Sequence, residues 1–264
     1  MGELLRAQEV CAGYGRENVL QKVSFSVQTG ELCALLGSNG SGKSTLLRCV
    51  CGLLPFRGSM TLEGKQLLHM GQRRRAQRIG YLSQKGGGAP SLSALDVVLM
   101  GLNPLLGLLQ SPGSAHRKRA LEVLEQVGAA QFACRDFSTL SEGQKQLVLL
   151  ARTLVCQPRL IVLDEPDSAL DFRNRRQIMK LLKACSGAQE RSVLLCSHDV
   201  NIALAYADHL LLLKDGVLAY DLHLSTVSRE QLQRALQDIY GPVEVLRHAG
   251  RYLMIMRTED QAPG

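Results

Sequence analysis

The chain has no tryptophan, and its aromatic residues amount to six tyrosines and five phenylalanines. That is few for a protein that holds single-stranded nucleic acid by base stacking. Long apolar runs are missing too. The longest stretches, such as LLLL at 210–213, fall far short of the ~20 residues a membrane-spanning helix needs. The opening MGELLRAQEV carries acids and no apolar segment, so no secretory leader is expected, and it matches a myristoylation sequence poorly. The eight cysteines (11, 33, 49, 51, 134, 156, 185 and 196) form no CxxC pair and have no histidine at zinc spacing. Only Cys49 and Cys51 lie close together, inside an expected helix. All eight are expected to be reduced, mostly buried, small apolar residues of a cytosolic protein. No internal repeat or low-complexity linker interrupts the chain.

Apolar residues make up 45% and charged residues 21%, which excludes wholesale disorder and collagen-like structure. A length of 264 residues suits one large domain or a core with one inserted lobe, either able to bury a core without disulfides. Lysine and arginine (31) exceed aspartate and glutamate (24), giving +7 and a preference for anionic partners: nucleic acid, an anionic membrane surface or a phosphate ligand.

The first 30 residues read as short strands with turns, residues 19–27 alternating with a β-like period. LCALL at 32–36 is a continuous apolar run, as in a strand buried on both faces. A helix is expected from residue 43 to about 51, then a hairpin over 58–68. Between about 90 and 146 strand alternation disappears, and a helix is expected over 115–127. After that β and α alternate: strands at 160–163, 193–196 and 209–213, helices at 173–183 and 202–206. Such alternation implies a largely parallel sheet. A tail from about 228 should hold one helix and two short strands.

Residues 37–45 read GSNGSGKST and match G-x-x-x-x-G-K-[ST] between an expected strand and helix. Gly37, Gly40 and Gly42 let the backbone curl so that amides, including those of Ser38, Asn39 and Ser41, point at phosphate oxygens, and the helix dipole at Thr45 favours the same anion. Lys43 supplies a charge for the β- and γ-phosphates, and Ser44 offers a hydroxyl to Mg2+. A second motif, LIVLDEP at 160–166, ends an apolar strand in two acids. Asp164 suits Mg2+, held directly or through water, and Glu165 suits the general base that accepts a proton from attacking water.

Further motifs arrive in the order found in ATP-binding cassette proteins, and the chain resembles that family over roughly residues 3–220. LSEGQ at 140–144 resembles the family's signature and opens a helix with apolar residues at 147, 150, 151, 154 and 155. The resemblance implies an α/β P-loop NTPase fold: a mainly parallel core sheet (1–89 and 147–227), an antiparallel β subdomain, an inserted helical subdomain (about 90–146) and a C-terminal extension (about 228–264). It implies an ATPase with ATP and Mg2+. Tyr14 in AGYG would stack on adenine; Gln84 in YLSQ would reach the metal and water and report to the helical lobe; His198 in SHD would be the switch histidine near the γ-phosphate. Ser141, Gly143, Gln144 and Asp171 (in SALD) would face the ATP of a second copy in a head-to-tail homodimer.

The departures from the family pattern are also informative. Glu142 stands where glycine is usual, and its carboxylate should point away from phosphate. Asp167 replaces the usual threonine, and the run Gly86 to Gly88 adds freedom after Gln84. Since Lys43, Asp164, Glu165 and His198 are all present, an inactive regulatory cassette is disfavoured. A single cassette without an attached membrane domain resembles bacterial importers built from separate subunits. DVVLMGLNP at 96–104 resembles the branch that imports ferric siderophores, haem and cobalamin, although Leu102-Asn103 stands where that branch often has arginine. The implied partners are two membrane permease subunits and, indirectly, a substrate-binding protein, with no nucleic acid. The implied location is peripheral, on the cytoplasmic face of the inner membrane. The alternative is a soluble ABC-type ATPase acting on nucleic acid or ribosomes, to which the +7 charge and Arg73-Arg74-Arg75 lend some support. That arginine run is otherwise expected to form a solvated face.

Overall fold

The computed structural model describes residues 2–15, 17–83, 91–107, 110–166, 170–188 and 191–256. Two strands of 12 residues open the chain, β1 (Glu3–Tyr14) and β2 (Glu17–Gln28), paired antiparallel. The short strands expected here are in fact continuous. A register shift between Ala7 and Val10 accommodates Gln8 and Glu9, so the strand continues through a break in its alternation.

The next elements are β3 (Leu32–Gly37), α1 (Lys43–Val50), β4 (Arg57–Leu62), β5 (Lys65–Gln66), α2 (Gln72–Arg78) and β6 (Ile79–Leu82). Helices α3 (Ala94–Leu99), α4 (Ser114–Gln126) and α5 (Glu142–Leu154) come next. The alternation then resumes with β7 (Leu160–Asp164), α6 (Phe172–Ala188), β8 (Ser192–Cys196), α7 (Val200–Tyr206), β9 (His209–Lys214) and β10 (Val217–His223). The chain closes with α8 (Arg229–Tyr240), β11 (Val243–His248) and β12 (Arg251–Met256).

Among these residues one sheet runs β2-β1-β4-β5, all antiparallel, and a second runs β10-β9-β3-β8-β7-β6. In the second sheet only β10 is antiparallel to its neighbour. The two-residue side-chain period divides its burial. Cys33, Leu35, Val162, Leu194, Leu211 and Leu213 face the first sheet and α1. Ile161, Leu163, Val193 and Leu195 face the cluster built by α3, α4 and α5. Ala34, Leu36, Leu210 and Leu212 are covered by the tail, through Leu232, Leu236, Val243 and Val245. Both faces are therefore dry, which explains why these strands read as unbroken apolar runs.

Four elements have no forerunner in the sequence pattern: α2, β6, α3 and β10. Helix α2 (QRRRAQR) buries none of its residues and so carries no apolar stripe. Its arginines are more than a solvated face. Arg73 Nε donates to the Pro104 carbonyl (3.0 Å) and Arg75 Nη2 to that of Gly52 (3.2 Å), which ties the segment around Pro104 and the end of α1 to this helix. The cysteines are all free thiols: five are buried, Cys134 is exposed, and Cys51 caps α1 rather than lying within it. No helix among the described residues is long and apolar enough to cross a membrane.

Candidate functional site

The fully buried strand β3 delivers the glycine-rich loop at its carboxyl end. Gly37 has φ 152°, and a Cβ there would lie 2.2 Å from the Leu213 carbonyl oxygen, so no larger residue fits. Ser38, Asn39 and Gly40 are exposed, whereas Ser41, Gly42, Lys43 and Thr45 are buried and Ser44 is half-buried. Gly42 opens α1, whose positive dipole end points into the loop. The Lys43 ammonium donates to the carbonyls of Gly37 and Ser38, both at 2.8 Å. An anion entering the loop would therefore compete with backbone oxygens for a charge already held in place. Tyr14, at the end of β1, is 46% exposed, and its hydroxyl accepts a hydrogen bond from Arg48 of α1 (2.9 Å). Its ring edge is anchored while a face stays open to solvent.

Strand β7 is buried throughout and ends on Asp164, which accepts a hydrogen bond from Ser44 Oγ at 3.1 Å. Burial pushes the Asp164 carboxyl up, and Ser44 opposes that shift. Glu165 turns into the left-handed region (φ 54°), a conformation that costs about 1–2 kcal/mol outside glycine. Its N–H donates to the Cys196 carbonyl (3.1 Å) at the end of β8. The turn carries its nearly buried carboxylate onto His198 Nε2, on a ring that is half exposed. Ligand atoms of Asp164, Glu165 and Cys196 lie within 4.8 Å of one another. Burial holds the Cys196 thiol up, so it remains protonated, and the donors left are the hard oxygens that suit Mg2+.

The structure thus brings together Lys43, Ser44, Asp164, Glu165 and His198 at one end of the core sheet. The signature residues stand apart from them. Ser141 caps α5, its Oγ accepting from Gln144 N–H (3.4 Å) while Gln144 Oε1 accepts from Ser141 N–H (3.1 Å). Among the described residues neither these two nor Gly143 bonds to the phosphate loop. Glu142 pairs with Lys145 (2.8 Å) and is 79% exposed. Asp171 accepts from Asn174 N–H (2.8 Å) at the start of α6, beside an exposed Phe172. Gln84, Gly86 to Gly88, Asp167 and Ser168 lie outside the described residues.

Sequence reasoning missed two supports of the loop. The Gly37 N–H donates to the Tyr240 hydroxyl of α8 (3.2 Å), and the Gly216 N–H donates to the Ser41 carbonyl (3.2 Å). Burial pushes the Tyr240 phenol up to about 12, so it stays neutral. No local pattern could reveal Tyr240, because 203 positions separate it from Gly37. A groove of about 430 Å3 also opens between the end of α1, α2 and α5, lined by Leu53, Arg75, Tyr81, Met100, Gly101 and Arg152. Gly101 is obligatory there, since a Cβ would sit 2.1 Å from the Arg152 carbonyl oxygen.

Comparison with known proteins agrees with this geometry. The family model described as ABC transporter matches residues 20–168, and a model described as an AAA domain, putative AbiEii toxin, overlaps it at 133–205. The chain is 33% identical over 253 residues to an iron chelatin transport ATP-binding protein of Helicobacter pylori, covering 95% of this chain and 98% of that one. It is 35% identical over 232 residues to the zinc transport system ATP-binding protein TroB of Treponema pallidum (88% and 86% covered). Among solved structures it resembles one described as an inward-facing, metal-chelate type ABC transporter (TM-score 0.81, 26% identity, 99% and 100% covered). It also resembles a dimeric ATP-binding cassette in a post-hydrolysis state with ADP and Pi bound (TM-score 0.76, 29% identity, 84% and 99% covered). With a lysine held in a glycine cradle and a paired acid and histidine at the neighbouring strand ends, the chain belongs to the ABC transporter family as an ATP-hydrolysing, ATP-binding subunit.

Proposed function

We propose that this chain powers an importer of a metal chelate, a ferric siderophore first, with haem and cobalamin as related cargoes, through two separate membrane permease subunits. The observation that supports the engine is the convergence of Lys43, the Ser44–Asp164 pair and the Glu165–His198 pair at the carboxyl ends of β3, β7 and β8. The cargo reading rests on likeness along almost the whole chain to the Helicobacter protein and to the metal-chelate type structure.

In this reading two copies face head to tail. The loop from Gly37 to Thr45 of one copy cradles the phosphates, Tyr14 stacks on the adenine, and Ser141, Gly143, Gln144 and Asp171 of the other close over them. Lys43 exchanges the Gly37 and Ser38 carbonyls for phosphate oxygens. Ser44, Asp164 and Gln84 would hold Mg2+, which would neutralise charge on the β- and γ-phosphates. Glu165 accepts the proton of the attacking water, and His198 orients that carboxylate towards the γ-phosphate. Closure moves the helical lobe (about 90–146) against the core. A segment of each permease seated in the groove beside Leu53 and Met100, both exposed, turns that motion into alternating access. Attachment would be peripheral, on the cytoplasmic face of the inner membrane, with a substrate-binding protein delivering cargo to the permeases.

The test is reconstitution in vesicles with the permease encoded beside this chain, measuring ATP-dependent uptake of labelled ferric siderophore against free Mn2+ and Zn2+. Chelate uptake that Glu165→Gln abolishes supports the proposal. Uptake of free metal alone overturns the cargo assignment, and co-isolation with ribosomes or DNA in place of a permease overturns transport.

A further inference from the structure

We infer that Glu31, His209 and His223 form a divalent transition-metal site of the imidazole–carboxylate class, at the end of the core sheet opposite the nucleotide loop. The three residues come from three places in the chain. Glu31 immediately precedes β3, His209 opens β9, and His223 ends β10 directly across from His209. Glu31 Oε1 lies 3.5 Å from His209 Nδ1 and 3.3 Å from His223 Nδ1. Tetrahedral bonds of 2.0–2.1 Å place neighbouring ligand atoms about 3.4 Å apart, so these three atoms come within reach of one ion once the His223 ring is turned.

The surrounding bonds prepare these atoms. Glu31 Oε2 accepts the Gln28 N–H (2.8 Å), which leaves Oε1 facing the two rings. His209 Nε2 meets Asp221 Oδ1 at 2.5 Å. A carboxylate on the outer nitrogen selects the tautomer whose other nitrogen carries a lone pair, the arrangement found behind metal-bound histidines. That other nitrogen, Nδ1, is buried without a hydrogen-bond partner, on a side chain only 1% exposed. A lone pair facing a carboxylate oxygen at this distance is repulsive, so either a metal ion or a proton must lie between them.

His223 gives the site its opening. Its ring is 47% exposed on the edge strand and stacks on His209 with centroids 4.1 Å apart and planes 15° from parallel. Sharing one ion requires His223 to turn out of that stack, and an edge-strand side chain has room to do so. Glu31 and Asp221 together carry two negative charges, which a dication balances. The three ligands include no sulfur. Imidazole with carboxylate suits Zn2+, Co2+, Mn2+ or Fe2+ and disfavours Cu+.

A proton is the competitor. Without metal, a proton on His209 Nδ1 facing Glu31 Oε1 would answer the same field. Metal must displace that proton, and affinity should rise with pH. The inference does not depend on the transport reading.

The test is a Co2+ titration of the full-length, nucleotide-free protein after chelator treatment, read by visible d–d absorption and competed with Zn2+. One Co2+ per chain is expected, bound more tightly as pH rises from about 6 to about 8. His223→Ala, at a half-exposed position, should weaken binding at least tenfold while MgATP affinity and the melting temperature hold. Glu31→Gln, close to isosteric, should weaken Co2+ binding likewise while MgATP affinity holds, and serves if the first variant is unstable. No Co2+ spectrum in the wild-type protein, or one that neither variant changes, would overturn the site, the histidine cluster then holding a proton only.

Discussion

The two ends of the core sheet make opposite use of the same strands. At the carboxyl end of β3, β7 and β8, loops leave the sheet with Ser38, Asn39 and Gly40 exposed and His198 half exposed, while the Lys43 ammonium and the Asp164 and Glu165 carboxylates are buried behind them. This is where open parallel sheets bind ligands, since the strand ends and following helices aim their dipoles outward there. At the amino end of β3 and β9, Glu31 and His209 are buried beside β2 and β10, while His223 and Asp221 reach solvent. Chemistry on ATP needs the first environment, where Lys43 and the Glu165–His198 pair can exchange partners. The second favours a small cation held in one geometry.

Predictions that break or sharpen this contrast can be ranked by size. Replacing Glu165 by Gln should lower ATP turnover by roughly 10²–10⁴-fold, the range for a positioned general base, while ATP binding persists and a nucleotide-dependent dimer accumulates on gel filtration. Normal turnover in that variant would remove Glu165 from its role. Leu35→Ala in β3, fully buried between the two ends, should cost about 2–5 kcal/mol in chemical denaturation and weaken both ends at once.

The metal-free protein should lose stability as pH rises. With His209 raised in the folded state, its contribution is complete below the unfolded value of about 6.5 and drains away as pH climbs towards the folded one. The slope would be at most about 1.4 kcal/mol per pH unit, read from melting curves, and His209→Gln should flatten it. The smallest effect concerns Tyr240→Phe. Losing the acceptor for the Gly37 amide should cost about 1 kcal/mol, seen as a severalfold rise in KM for ATP with kcat nearly unchanged. An equal fall in kcat would mean that the hydroxyl acts in the transition state instead.

The legible parts of the site are those whose chemistry is written contiguously. Lys43 and Ser44 share one loop, and Asp164 and Glu165 share one strand end, so spacing alone indicates a phosphate cradle and a paired acid. The contact between Glu165 and His198 is not local, and only family order hinted at it. Helix α2 escaped notice because it has no apolar stripe, and β1 looked like fragments because its bulge breaks the alternation. Tyr240 and the Glu31–His209–His223 cluster were invisible for a stronger reason: neither has a characteristic spacing, and zinc-type sequence patterns find nothing in these histidines.

By itself, the sequence determined the engine: a P-loop ATPase cassette with a strand-end acid pair and a mostly parallel sheet buried on both faces. These follow from local periodicity and short motifs, since each is set by neighbours within one turn or one strand. The tertiary structure alone decided which distant groups meet. It set the Gly37 amide on Tyr240, Arg73 on Pro104, Glu165 on His198, and Glu31, just before β3, beside His209 of β9 and His223 of β10. Such contacts depend on how strands are ordered in a sheet and how the tail packs back, and burial then fixes their protonation and geometry.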